Sequence, residues 1–104
     1  MTFPVNVRKV IFKNGKARCL LCKRKWEDGW MLECNHIAPT FENGSNHPDN
    51  GNLLCRECHA YWHENNSRNA FRLGYTKKAR QHAYAARMIR QRIKLNGLRR
   101  RGFE

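Results

Sequence analysis

Two Cys-x-x-Cys pairs, Cys19/Cys22 and Cys55/Cys58, constrain this chain more than any other feature. A two-residue gap lets both thiolates of a knuckle point at one ion, and four thiolates suit tetrahedral Zn²⁺. The competing readings are disulfides or a redox pair, but a thioredoxin-like pair belongs in a βαβ context that this pattern lacks. A chain of 104 residues holds one small domain with its arms, a size at which a metal often supplies what the core cannot. The pairs lie 33 positions apart, more than a minimal ribbon needs, so a functional module is inserted between the knuckles. Cys34 is left over and reads as a buried small hydrophobe.

The charge is uneven. The chain carries 21 Lys and Arg against 8 Asp and Glu, a formal +13, which calls for a polyanionic partner. Residues 1–35 and 67–104 are both strongly basic. Residues 36–66 hold Arg56 as their one Lys or Arg, against four acidic residues, together with His36, His47, His59 and His63. A centre cleared of Lys and Arg can seat a divalent cation against a phosphate without repelling it. No apolar run approaches ~18 residues, and the stretch from Met1 to Arg8 lacks the basic-then-apolar order of a signal peptide. These features lead us to expect a cytoplasmic protein with no membrane partner.

Local patterns suggest the elements. Val10 to Cys19, centred on Asn14-Gly15, reads as a hairpin running into the first knuckle. Trp30–Ile37 reads as a strand, residues 38–49 as a loop, and Asn52–Leu54 as a short returning strand. A helix is expected from Arg56 to about Asn66, with Ala60, Tyr61 and Trp62 able to face a core. A second short helix is expected over Ser67–Leu73, stopped by Gly74. Thr76 can cap a longer helix ending at Asn96-Gly97, with Ala79, Ala83, Ala86, Ile89 and Ile93 as its apolar stripe. The natural division is therefore 1–74 for the zinc-stapled domain and 75–104 for a basic helix and tail.

His59 follows Cys58 directly, and His63 lies one helical turn further on the same face. A metalloprotease helix would carry Glu beside its first His, whereas this one reads His59-Ala60-Tyr61-Trp62-His63. Fixing Cys58 on zinc would fix the backbone of His59, as a metal ligand on a small fold requires. The plain alternative is a pair of exposed helix histidines.

Taken together, Cys19-x-x-Cys22, Asn35-His36-Ile37, Asn50 and Leu53-Leu54-Cys55-x-x-Cys58-His59 resemble the HNH nucleases. That resemblance spans roughly Cys19 to His63. It implies an α+β ββα-metal fold with a four-cysteine structural zinc, here extended by a basic C-terminal helix. It also implies that His36 is the general base and that Asn50 is the middle motif residue. His59 then takes the final, metal-binding position, and His63 that of an additional ligand seen in colicin-type domains. Where the family carries Asp or His before the base, this chain has Asn35, a neutral amide and a weaker ligand than a carboxylate.

The chemistry follows from those assignments. A neutral imidazole can take a proton from water near neutral pH. One divalent ion held by Asn35, His59 and His63 would stabilise the leaving oxygen and polarise the phosphoryl group. Mg²⁺ or Mn²⁺ suits that role, with Ni²⁺ or Zn²⁺ as alternatives. Asn50 can bridge backbone groups across the loop and hold His36 in line. The resulting expectation is a metal-dependent DNA endonuclease or nickase, a phosphodiester hydrolase acting on double-stranded DNA. The resemblance implies that its products are a 5′-phosphate and a 3′-hydroxyl. Small HNH proteins of this kind are frequent in phages. A homodimer or partner protein stays open, as does a different class of function, a zinc-stapled DNA-binding module without cleavage.

Overall fold

The computed structural model describes residues 2–99. The last five residues of the basic tail read from the sequence lie outside that range. The fold is α+β, with helix α1 (Val5–Asn14), strands β1 (Leu32–His36) and β2 (Gly51–Cys55), and helices α2 (Arg56–Arg72) and α3 (Thr76–Asn96). The strands form a two-stranded antiparallel sheet in which Leu32 faces Cys55, Asn35 faces Asn52, and His36 faces Gly51. None of the described helices is long and apolar enough to cross a membrane.

The segment expected to be a hairpin folds as α1 instead. Pro4 occupies its N-cap position, and Phe3, Val7 and Ile11 recur every four residues, which is helical spacing. Asn14-Gly15 ends the helix rather than turning a hairpin, with Gly15 N–H donating to the Ile11 carbonyl at 2.9 Å. Only a single bridge between Arg18 and Lys25 keeps ribbon character, and it closes the loop that carries Cys19 and Cys22.

The core forms where α1 meets the sheet. Phe3, Ile11, Leu32, Leu53 and Leu54 are buried there, with Trp26 and Trp62 packed around them. Gly51 is needed at this contact, because a Cβ there would sit 2.3 Å from Ile11 Cδ1.

The two short helices expected between residues 56 and 73 are one helix. Gly74, at φ +85°, makes the left-handed turn that separates α2 from α3, and Tyr75 N–H closes it on the Ala70 carbonyl at 2.8 Å. Tyr61, expected inward, is exposed. Tyr75 rather than Thr76 holds the N-cap position of α3, without a side-chain bond. The stripe of α3 also differs from expectation: Ala79, His82, Ala86 and Ile89 are buried, and Ala83 faces outward. A histidine therefore takes a place in an otherwise apolar seam.

Candidate active site

The Cys-x-x-Cys pairs converge. Ligand atoms of Cys19, Cys22, Cys55 and Cys58 all lie within 4.8 Å of one another, and this is the one such His/Cys/Asp/Glu group among the described residues. Cys34 stands apart from it, half-buried, with its Sγ 4.0 Å from the Arg8 carbonyl. Backbone donors support the cluster: Cys22 N–H donates to Cys19 Sγ and Cys58 N–H to Cys55 Sγ, each at 3.5 Å. The hydrogen bond between Cys19 and Cys55 pulls the Cys19 thiol down and pushes the Cys55 thiol up. Burial and the neighbouring thiolate push Cys58 up as well. Four sulfurs this close cannot all ionise alone, and a divalent cation would relieve that repulsion. The donor set fits structural zinc.

The second knuckle also starts α2. Cys55 is its N-cap, so the thiolate that serves the cluster satisfies the first turn of the helix. This linkage sets His59 and His63 one turn apart on α2, with ring centroids 5.1 Å apart. His36, Asn35, His59 and His63 all line one cavity of ≈ 1190 Å³.

Each ring is held by a partner that the sequence did not announce. His59 Nδ1 lies 2.9 Å from Glu33 Oε1, and Arg92 of α3 donates to both oxygens of that carboxylate. Arg56 Nε is 3.5 Å from Glu33 Oε2. Burial pushes the Glu33 carboxyl up, but the hydrogen bond and charge of His59, with Arg92, outweigh it and hold the pKa below the usual value. Glu33 is thus a carboxylate, and His59 Nδ1 is the donor. Burial lowers the pKa of His63 to about 4, helped by repulsion from His59 and His82, so this ring is neutral near pH 7. Neutral imidazole is the form that binds a metal ion.

His36 is 9% exposed at the end of β1. Its Nε2 lies 2.9 Å from Asn46 Oδ1; an amide oxygen only accepts, so Nε2 carries the proton. Nδ1 has no hydrogen bond among the described residues and is the nitrogen that can accept one. Asn50 holds the loop around this ring. Its Oδ1 accepts from Ala38 N–H at 2.8 Å, and its Nδ2 donates to the carbonyls of Ala38 and Ser45. Asn35, 1% exposed, donates through Nδ2 to Asn52 Oδ1 at 3.2 Å, which leaves its own Oδ1 for another partner. Asn52 of β2 therefore supports Asn35 and not the loop. His47 caps the short turn Pro48–Asn50 by accepting from Asp49 N–H.

Residues 19–64 match the family model of the HNH endonucleases. This segment is of the HNH family. It contains every site residue named from the sequence and leaves α1 and α3 outside. The match points to nuclease or DNA-binding function for this segment. The chain has no match among curated proteins or solved structures.

Four residues of the site escaped the sequence reading. Phe3 and His82 lie outside the HNH segment, while Glu33 and Asn46 lie within it. Glu33 alone left a signal, as an acidic residue inside an otherwise half-buried strand.

Proposed function

We propose that this protein is a metal-dependent DNA endonuclease that hydrolyses phosphodiester bonds, nicking one strand per active site. The observation that carries this reading is one cavity holding His36 beside Asn35, His59 and His63, with Lys77 and Arg80 of α3 on its wall. Those two cations would hold the phosphate backbone, as Lys and Arg do in most nucleic-acid contacts.

His36 accepts a proton from water at Nδ1. The water oxygen bonds to phosphorus, the bond from phosphorus to the 3′ oxygen breaks, and that oxygen takes up a proton from solvent. Asn46 and Asn50 keep the imidazole in place during this transfer, one through Nε2 and the other through the loop. Asn35 Oδ1 and Nε2 of His59 and His63 are the atoms suited to hold a divalent ion. When bound, that ion would polarise the phosphoryl oxygen and stabilise the leaving oxygen.

A second reading, DNA binding without cleavage, draws on Asn35. A neutral amide in place of a carboxylate or imidazole weakens the ligand set. One experiment separates the two readings: single-turnover nicking of supercoiled plasmid with saturating Mg²⁺ or Mn²⁺. The endonuclease reading expects nicking that EDTA abolishes. His36→Ala should slow it about 10²–10⁴-fold while DNA binding and bound zinc persist. Absence of nicking by a protein that holds its zinc and binds DNA would establish the binding module instead.

A further inference from the structure

His82 lies on α3, outside the HNH segment, and is 5% exposed. Its Nδ1 is 2.9 Å from His63 Nδ1, and its ring packs edge-on against Phe41, centroids 5.0 Å apart. The helices are tied together on either side of this contact. Ser67 Oγ donates to the Ala79 carbonyl at 2.8 Å, and Arg90 forms a two-pronged pair with Glu64. The position of His82 is thus set by the packing of α3 on α2.

Two nitrogens at this distance share one proton, so one ring donates and the other accepts. The neighbouring ring shows which arrangement matches. In the neutral imidazole, an Nδ1–H donated to Glu33 leaves the His59 lone pair on Nε2. If His82 accepts, His63 also carries its proton on Nδ1 and has its lone pair on Nε2. No hydrogen bond engages Nε2 of either ring among the described residues, and both residues line the cavity. The reverse arrangement would put an N–H on His63 Nε2 and leave that nitrogen without the lone pair a cation needs.

We propose that His82 is a positioning residue that accepts a hydrogen bond from His63 Nδ1 and so presents His63 Nε2, matched with His59 Nε2, as a nitrogen donor for a divalent cation. The role of that cation rests on the function proposed above; the tautomer of His63 does not. Imidazole ligands are commonly oriented in this way by a second group on the opposite nitrogen, and loss of that group weakens metal binding roughly 10–100-fold. What is new is its source. The orienting group comes from a helix that the family segment does not include.

The test uses the full chain with its zinc retained. Long-range ¹H–¹⁵N correlation spectra of ¹⁵N-histidine protein report each ring's tautomer and should show His63 protonated at Nδ1. Calorimetric titration with Ni²⁺ or Mn²⁺ should show His82→Phe binding about 10–100-fold more weakly than wild type. His82→Asn, which restores an acceptor, should recover part of that loss. Zinc content and DNA binding without added divalent cation report whether each variant is folded. If His82→Phe does not fold, the wild-type tautomer and His82→Asn still decide the matter. An Nε2-protonated His63 would overturn the proposal, as would a folded His82→Phe protein that binds the cation like wild type. A His82 nitrogen that shifts directly on cation addition would make it a ligand and overturn the proposal too. A wild-type protein with Nδ1-protonated His63 that binds no cation would support the positioning of His63 and overturn the cation reading.

Discussion

The ring of Phe3 lies flat on the imidazole of His36, with centroids 3.7 Å apart and planes 6° from parallel. Phe3 is 1% exposed, so the stack is also part of the core. This residue, close to the start of α1 and outside the HNH segment, thus sets the plane of the proposed base. Phe3→Leu shrinks a buried side chain and should cost roughly 1–3 kcal/mol, less than full truncation to alanine. It removes the flat surface, however, and nicking should fall by about 10- to 100-fold, as expected when a reacting group is misplaced by about 1 Å. Chemical denaturation and single-turnover nicking of the same protein separate the two effects. Nicking at the wild-type rate in a folded Phe3→Leu protein would show that Asn46 and the loop suffice to orient His36.

Removing one zinc ligand should do more than any core substitution. Structural zinc contributes roughly 10–16 kcal/mol in small metal-folded peptides, comparable to or above the net stability of an ordinary domain. Cys55 serves twice, as a member of the sulfur cluster and as the N-cap of α2. Cys55→Ser should therefore lose its zinc and unfold, measured by metal content and circular dichroism. Cys34→Ser, outside the cluster, should keep one zinc per chain. A folded, metal-free Cys55→Ser protein would contradict the assignment.

Asn50 makes three hydrogen bonds to the backbone at Ala38 and Ser45, at about 1 kcal/mol net each. Asn50→Ala should destabilise the fold by roughly 1–3 kcal/mol and release the segment that carries Asn46. Proteolytic nicking should then concentrate between residues 38 and 47, and cleavage of DNA should fall while bound zinc stays. Protease protection equal to wild type would show that the loop is held by other contacts.

The local part of this architecture is legible in the sequence, because local chemistry determines it. The knuckles follow from two-residue gaps, and Asn52–Leu54 marks β2 because Leu53 and Leu54 are both core residues. Gly74 and Gly97 mark helix ends because the backbone there adopts positive φ. Asn14-Gly15 misleads because the same dipeptide that turns a hairpin also ends a helix; only the four-residue spacing of Phe3, Val7 and Ile11 distinguishes the two. Ala83 passes for core because alanine fits either face of a helix. The polar contacts are out of reach for another reason. Glu33 meets Arg92 across 59 positions of chain, and His63 meets His82 across 19, and no spacing rule connects residues brought together by the packing of α3.

That packing also changes how the basic helix can be tested. Ala79, His82, Ala86 and Ile89 are buried against the rest of the fold, so deleting α3 would expose core as well as remove charge. Substitutions on its surface are cleaner. Several of its cations are already committed: Lys78 to Glu42, Arg90 to Glu64 and Arg92 to Glu33. Lys77 and Arg80 line the cavity and have no ion pair among the described residues. Each phosphate contact that releases a counterion adds about 0.9 to the slope of log affinity against log salt. Lys77→Gln with Arg80→Gln should therefore flatten the slope by up to ~1.8 and weaken binding similarly across sequences. Arg90→Gln, whose charge faces Glu64, should change the slope much less. The measurement is DNA affinity by fluorescence anisotropy over a range of salt concentrations with no Mg²⁺ or Mn²⁺ added, so that cleavage does not intervene. Equal slopes for wild type and the double variant would place the phosphate contacts elsewhere, on the basic residues of α1 or the first knuckle.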